Sequence, residues 1–270
     1  MARTRPPTVQ ELREEKGRRQ MTMLRIFSLQ EAAAAEEAGI DIVSAPMELV
    51  GHPEYRDAAP GIFSMTGVDH RAAGTRDDYL RFAGKALMAG ADAVYCSGSL
   101  ETVSFLAREH VPVVGHVGLV PSRNTWTGGF RAVGKTAAGA LALYEECRAY
   151  EAAGAFAVEV EVVPAEVATE ISRRMPGLLL WSMGAGAGCD AQYLFAEDIL
   201  GETQGGRVPR HAKVYRDFAA EHARLQRARA AAFAEFRKDV ETGAFPEPRH
   251  IVSMDPAELD AFLKGLPAAG

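Results

Sequence analysis

The chain has 270 residues, 47% hydrophobic and 24% charged, proportions of a folded globular protein that exclude wholesale disorder. Lys and Arg number 30 against 36 Asp and Glu, and the resulting net charge of −6 argues against a general phosphate-backbone binder, because nothing in the total favours counterion release. Cys96, Cys147 and Cys189 are spaced too widely for a disulfide framework or a paired zinc knuckle and point to a reducing compartment.

In chain order, residues 1–20 are basic and polar without an apolar h-region, so they read as an N-terminal extension and not as a secretory signal. Strands are expected at 22–27, 41–45, 61–65, 93–97, 111–117, 155–162 and 178–183, with a weak eighth near 212–215. Helices are expected at 30–38, 76–89, 100–109, 135–153, 165–174 and, as one long Ala-, Arg- and Glu-rich element, 215–241. A helix end, a glycine and a strand follow one another at Gly39, Gly90 and Gly154, the glycine suiting the left-handed position that closes a helix. Three such joints imply alternating α and β, hence a parallel sheet with crossover helices. About eight strands over some 250 residues fit a single α/β domain over 21–270, a (β/α)8 TIM barrel, with a doubly wound open sheet as the alternative. No apolar run reaches the length of a membrane span, so a soluble cytoplasmic protein is expected, with no membrane or nucleic-acid partner.

In either fold chemistry sits where strands end, which singles out Ser44, Glu48, Met65, Tyr95, Ser97, His116, Glu161 and Ser182. His116, between glycines in Gly115-His116-Val117-Gly118, suits a donor to a substrate oxygen or a proton shuttle; a core histidine bonded to a carbonyl is the bland alternative. Glu159 and Glu161 lie at period two and face one side of their strand. An inward carboxylate is costly unless used, and burial would fit it to act as a base on a carbon acid; Glu161, nearer the strand end, is the stronger candidate. The turn Gly184-Ala185-Gly186-Ala187-Gly188 offers amides to an anion but lacks a P-loop lysine, so a tight strand-to-helix turn explains it equally well. Residues 123–134, with Trp126 and Arg131, form either a substrate lid or a plain bridge to the next helix. The histidines at 52, 70, 110, 211, 222 and 250 lack metal-ligand spacing and read as surface or packing residues.

At these motifs the chain resembles the ketopantoate hydroxymethyltransferase (3-methyl-2-oxobutanoate hydroxymethyltransferase) family. The resemblance is carried by Glu37-Ala38-Gly39-Ile40-Asp41, Ala89-Gly90-Ala91-Asp92-Ala93-Val94, Val111-Pro112-Val113-Val114-Gly115-His116-Val117-Gly118-Leu119, Gly128-Gly129-Phe130-Arg131-Ala132-Val133-Gly134-Lys135-Thr136 and Glu161-Val162-Val163-Pro164-Ala165-Glu166, in family order. It implies a barrel of the phosphoenolpyruvate/pyruvate superfamily type, a homo-oligomer, and transfer of a one-carbon unit from methylenetetrahydrofolate to the enolate of 2-oxoisovalerate held on Mg²⁺. The family's base falls on Glu161 and its substrate-side histidine on His116.

The metal half of the pattern departs. The family's Gly-Asp-Ser aligns with Pro46-Met47-Glu48, its third-strand aspartate with Met65, and its Lys-x-Glu with Tyr95-Cys96-Ser97. About twenty residues between the second and third strands are missing, implying one lost crossover helix. Thioethers are poor ligands for a hard cation, so no metal ligand is assigned unless Glu48 or Asp69 moves in. Substrate contacts are expected at Ser44, Met47, Glu48, Met65, Tyr95, Ser97, Ser182 and Gly184. The leading expectation is a hydroxymethyltransferase- or aldolase-like enzyme that makes or breaks a C–C bond beside the carbonyl of a 2-oxo acid or related compound without metal. The alternatives are the ordinary Mg²⁺-dependent reaction with a rebuilt site, and a non-catalytic binding or scaffold subunit whose pocket Met47 and Met65 would fill.

Overall fold

The computed structural model describes residues 4–68, 73–203, 205 and 207–267. Eight parallel strands close into a barrel in sequence order. The chain begins with helix α1 (Val9–Glu14), started by a capping box between Thr8 and Glu11. It continues through β1 (Met21–Arg25), α2 (Leu29–Ala38), β2 (Ile42–Ser44), two four-residue helices α3 (Met47–Val50) and α4 (Tyr55–Ala58), and β3 (Phe63–Gly67). Then come α5 (Arg76–Met88), β4 (Ala93–Tyr95), α6 (Leu100–Arg108), β5 (Val113–Gly118), α7 (Asn124–Thr127), α8 (Ala137–Ala152), β6 (Ala157–Glu161), α9 (Ala165–Arg174) and β7 (Leu179–Met183). β8 (Ala191–Phe195) and α10 (Ala196–Leu200) complete the barrel.

The expected barrel is present, with two differences. The eighth strand is residues 191–195, not 212–215. The glycine-rich turn does not lead into a helix but carries β7 straight to β8, because Gly184 and Gly186, at φ of 72° and 84°, reverse the chain too tightly for one. Between β2 and β3 a full crossover helix is replaced by α3 and α4, as the short spacing implies.

The chain divides into two compact units at Arg216 and Asp217, and all eight strands belong to the first. The second contains α11 (Phe218–Thr242) and α12 (Pro256–Gly265). The single domain expected over 21–270 runs across both units. Among the described residues no helix is long and apolar enough to cross a membrane.

Period-two alternation sorts the strand residues between two cores. Residues such as Val43, Val94, Val158 and Leu180 join the layer that includes helix residues Ala83, Leu106 and Ile171. Met23, Ile42, Phe63, Met65, Phe156 and Trp181 fill the barrel together with Leu12 of α1. At the N-terminal ends Asp41, Asp92 and Asp190 each accept a backbone N–H from the preceding strand: Thr22 at 2.9 Å, Ser64 at 2.7 Å and Leu180 at 2.7 Å. Lys16 donates to Asp190 at 2.7 Å and ties the N-terminal segment to this end.

Candidate active site

The C-terminal ends of the strands open on a cavity of about 840 Å³, within the range of small-molecule sites. Alternation decides what lines it. Inward-facing Met21 and Met23 put Arg25 at the mouth, Ile42 puts Ser44 there, Ala93 leads to Tyr95 and Val114 to His116. β6 contributes both Glu159 and Glu161.

His116 is the centre of the constellation and is 3% exposed. Its Nδ1 shares a 2.7 Å hydrogen bond with the Tyr95 hydroxyl. Burial first, and the charge of Glu159 second, hold the Tyr95 phenol well above the ordinary tyrosine range, so it stays protonated. A phenol donating to Nδ1 places the ring hydrogen on Nε2. Glu161 Oε2 lies 3.2 Å from that nitrogen but off its N–H axis, so Nε2 has no hydrogen-bond partner among the described residues. Glu159 Oε2 stands 3.6 Å from Nδ1. The two carboxylates thus approach opposite nitrogens of one imidazole.

Burial pushes the Glu159 carboxyl up to about 7, with His116 and Arg25 pulling it down and Glu161 adding to the rise. Burial, then Glu159, also raises Tyr193 across the cavity. Burial raises Cys147 and Cys189 to about 12, which keeps both as unreactive thiols near neutral pH.

Arg25 also lines the cavity, though it is not among the strand-end residues that the sequence singles out. Its guanidinium donates to Ser44 Oγ at 2.8 Å and lies 5.3 Å from the Phe27 ring centroid, with no carboxylate paired to it among the described residues. A cavity guanidinium without a counterion is a ready partner for an anionic ligand. Its signal was parity with Met21 and Met23, hidden because the first strand was drawn to residue 27.

Of the residues expected to touch substrate, Ser44, Tyr95, Ser97, His116 and Glu161 line the cavity and five others do not. Met65 is wholly buried in the barrel core. Met47, one step out of phase, packs outward against the helix layer, and Glu48 beside it is exposed. Ser182 lies between inward Trp181 and Met183 and accepts a hydrogen bond from the Ala185 N–H at 3.1 Å; Met183 lines the mouth instead. Gly184 faces His211. Asp69 and His70 lie outside the described residues. Of the loop read as a lid, Trp126 is exposed and Arg131 stays off the cavity wall, while Pro121 and Ser122 just before it line the wall.

Two backbone features fix the end of β6. Val162, directly after Glu161, takes φ of 50°, a strained value for a β-branched residue, held by bonds to the Met183 carbonyl at 2.9 Å and from the Val133 N–H at 3.1 Å. Gly118 has φ of 85°, and a Cβ there would strike the Glu161 carbonyl oxygen.

A family model described as ketopantoate hydroxymethyltransferase matches residues 70–248. The chain belongs to the ketopantoate hydroxymethyltransferase family. The 3-methyl-2-oxobutanoate hydroxymethyltransferase of Pyrobaculum calidifontis is 33% identical, over 91% of this chain and 98% of its own. That of Nitratidesulfovibrio vulgaris is 30% identical over 98% and 92%. Among solved structures, a Burkholderia cenocepacia J2315 protein assigned as a phosphonomutase superposes with a TM-score of 0.52 at 11% identity, over 84% of this chain and 99% of that one, a likeness of fold alone. With its family, the chain is an enzyme of the carbon–carbon transferase or lyase kind.

Proposed function

We propose that this family member makes or breaks a C–C bond beside the carbonyl of a 2-oxo acid or a related carbonyl compound, and does so without a metal ion. One observation carries the reading: His116 stands between the Tyr95 hydroxyl and Glu161 inside an open cavity. Glu161 takes the proton from the carbon next to the carbonyl. His116, oriented by the Tyr95 hydroxyl on its Nδ1, supplies its Nε2–H as a hydrogen-bond donor, and a preorganised donor in a water-poor site is effective against developing charge. Arg25 meets the substrate carboxylate.

The donor set does not suit Mg²⁺. Where the family's carboxylates align stand Met47, Met65 and Ser97, and Met65 is sealed under the cavity floor. Glu159 and Glu161 face opposite nitrogens of His116, and among the described residues no three His, Cys, Asp or Glu side chains converge on one point. Hard cations need several oxygen ligands at one centre. The filled pocket expected of a scaffold subunit is not supported either, given a cavity of about 840 Å³. That volume exceeds what a five-carbon acid needs and leaves space for a second reactant such as methylenetetrahydrofolate.

Turnover of a panel of 2-oxo acids, with and without methylenetetrahydrofolate, tests this reading in the presence of a chelator. The expected result is chelator-insensitive turnover that Glu161→Gln lowers at least ~100-fold. Turnover unchanged in E161Q removes the base; turnover that requires added Mg²⁺ removes the metal-free chemistry.

A further inference from the structure

Glu159 has no task in the reaction as drawn, and its surroundings are unusual. It is 5% exposed, yet its carboxyl lines the cavity. It accepts no hydrogen bond among the described residues; the Nδ1 of His116, 3.6 Å away, is already engaged by Tyr95 at 2.7 Å. The open side of this carboxyl is the cavity, where a bound substrate comes within its reach.

The charged and titratable groups facing it come from each wall. They are Glu161 on its own strand, His116 on β5, Tyr95 on β4, Arg25 on β1 and Tyr193 on β8. To the same cavity β2, β3 and β7 present Ser44, Gly67 and Met183, none ionisable. Burial outweighs the attraction of His116 and Arg25 and lifts the carboxyl to about 7, so near neutral pH much of it is the acid, a hydrogen-bond donor.

We propose that Glu159 is a catalytic residue: as a neutral carboxylic acid it donates a hydrogen bond to the substrate's carbonyl oxygen, where charge gathers as Glu161 removes the neighbouring proton. The inference rests on the reading of Glu161 given above. In the step, the C–H bond breaks and its proton passes to Glu161. The bonding pair becomes a C=C bond, and the carbonyl π pair moves onto oxygen, which shares the Glu159 hydrogen. When the carbonyl re-forms, that hydrogen stays with Glu159. A carboxylic acid at this point does for the oxygen what an uncharged donor of an oxyanion hole does. The substrate class follows: an acid anion, met by Arg25, carrying a carbonyl with a C–H beside it.

Infrared difference spectroscopy of the whole protein tests this, using ¹³C-carbonyl 2-oxoisovalerate as probe. Wild type should show a carboxylic-acid band, absent from Glu159→Gln and titrating away near pH 7, and the probe's carbonyl stretch should move to lower frequency on binding. Glu159→Met should abolish most of that shift and lower turnover about 100-fold. E159Q, which keeps a donor, should retain part of both, and its rate should lack the fall above pH 7 that wild type is expected to show as its acid ionises. Glu161→Gln should keep the acid band and the shift while losing turnover. A missing acid band, or an equal shift in wild type and E159M, overturns the inference. If E161Q turns over normally while band and shift behave as expected, only the reading of Glu161 falls; a probe that shows no shift with wild type overturns both.

Discussion

A carboxyl lifted by burial binds its proton more tightly in the folded chain than in the unfolded one. For Glu159, at about 7 when folded against an ordinary 4.5, the stabilising difference is complete below pH 4.5 and disappears as pH rises through 7. Above pH 7 the ionised group is a burden of ~3 kcal/mol by the size of the shift. Glu159→Gln should therefore gain stability over wild type at pH 8 and little or none at pH 5, as read by urea unfolding at both values. Asp41 works in the opposite sense. Burial opposes its charge, but the bonds from Arg19 and Thr22 outweigh that and hold it below the ordinary range, so its contribution is lost as pH falls through that lowered value. At the mouth, Arg25→Gln should raise KM for a 2-oxo acid about tenfold or more with a smaller change in kcat, the pattern of lost ground-state binding; a KM equal to wild type contradicts the carboxylate contact.

Strand parity governs what each element delivers, and it also explains which parts were legible in the sequence. The helix–glycine–strand joints fixed β2, β4 and β6 because glycine closure and a β-branched run occur together there. β8 was lost because the rule expected a helix after β7, and the glycine-rich turn leaves no room for one. Choosing polar residues at strand ends found Tyr95, His116 and Glu161. It misplaced Met47 and Ser182, which sit at the right height on the wrong face, and it set Glu159 behind Glu161 although both face inward. Two predictions belong to elements. Lys16→Met removes the partner of a buried aspartate that also receives the Leu180 N–H, and should cost ~3 kcal/mol in urea unfolding; no change would mean that α1 and its tail add nothing to the barrel base. Gly118→Ala forces a Cβ against the Glu161 carbonyl at a left-handed φ, and should cost about 1–3 kcal/mol and depress turnover beyond that loss.

At the scale of the whole chain, an eight-strand barrel carries the candidate site at its mouth. Met65 extends the interior core up to the cavity floor, while Arg25, Tyr95 and Glu159 give the walls a cation, a phenol that stays protonated and a carboxyl lifted to about 7. The resemblance implies metal carboxylates where Met47, Met65 and Ser97 stand. It points to neither Arg25 nor Glu159, which reach the cavity from other strand positions that only barrel closure brings together. The most direct measurement is deuterium uptake from D₂O, with chelator present, at the carbon beside the carbonyl of 2-oxoisovalerate, followed by NMR. Wild type should incorporate deuterium, and Glu161→Gln should do so at least ~100-fold more slowly. Equal rates in the two proteins, or uptake that begins only when Mg²⁺ is restored, would contradict a metal-free site built on that glutamate.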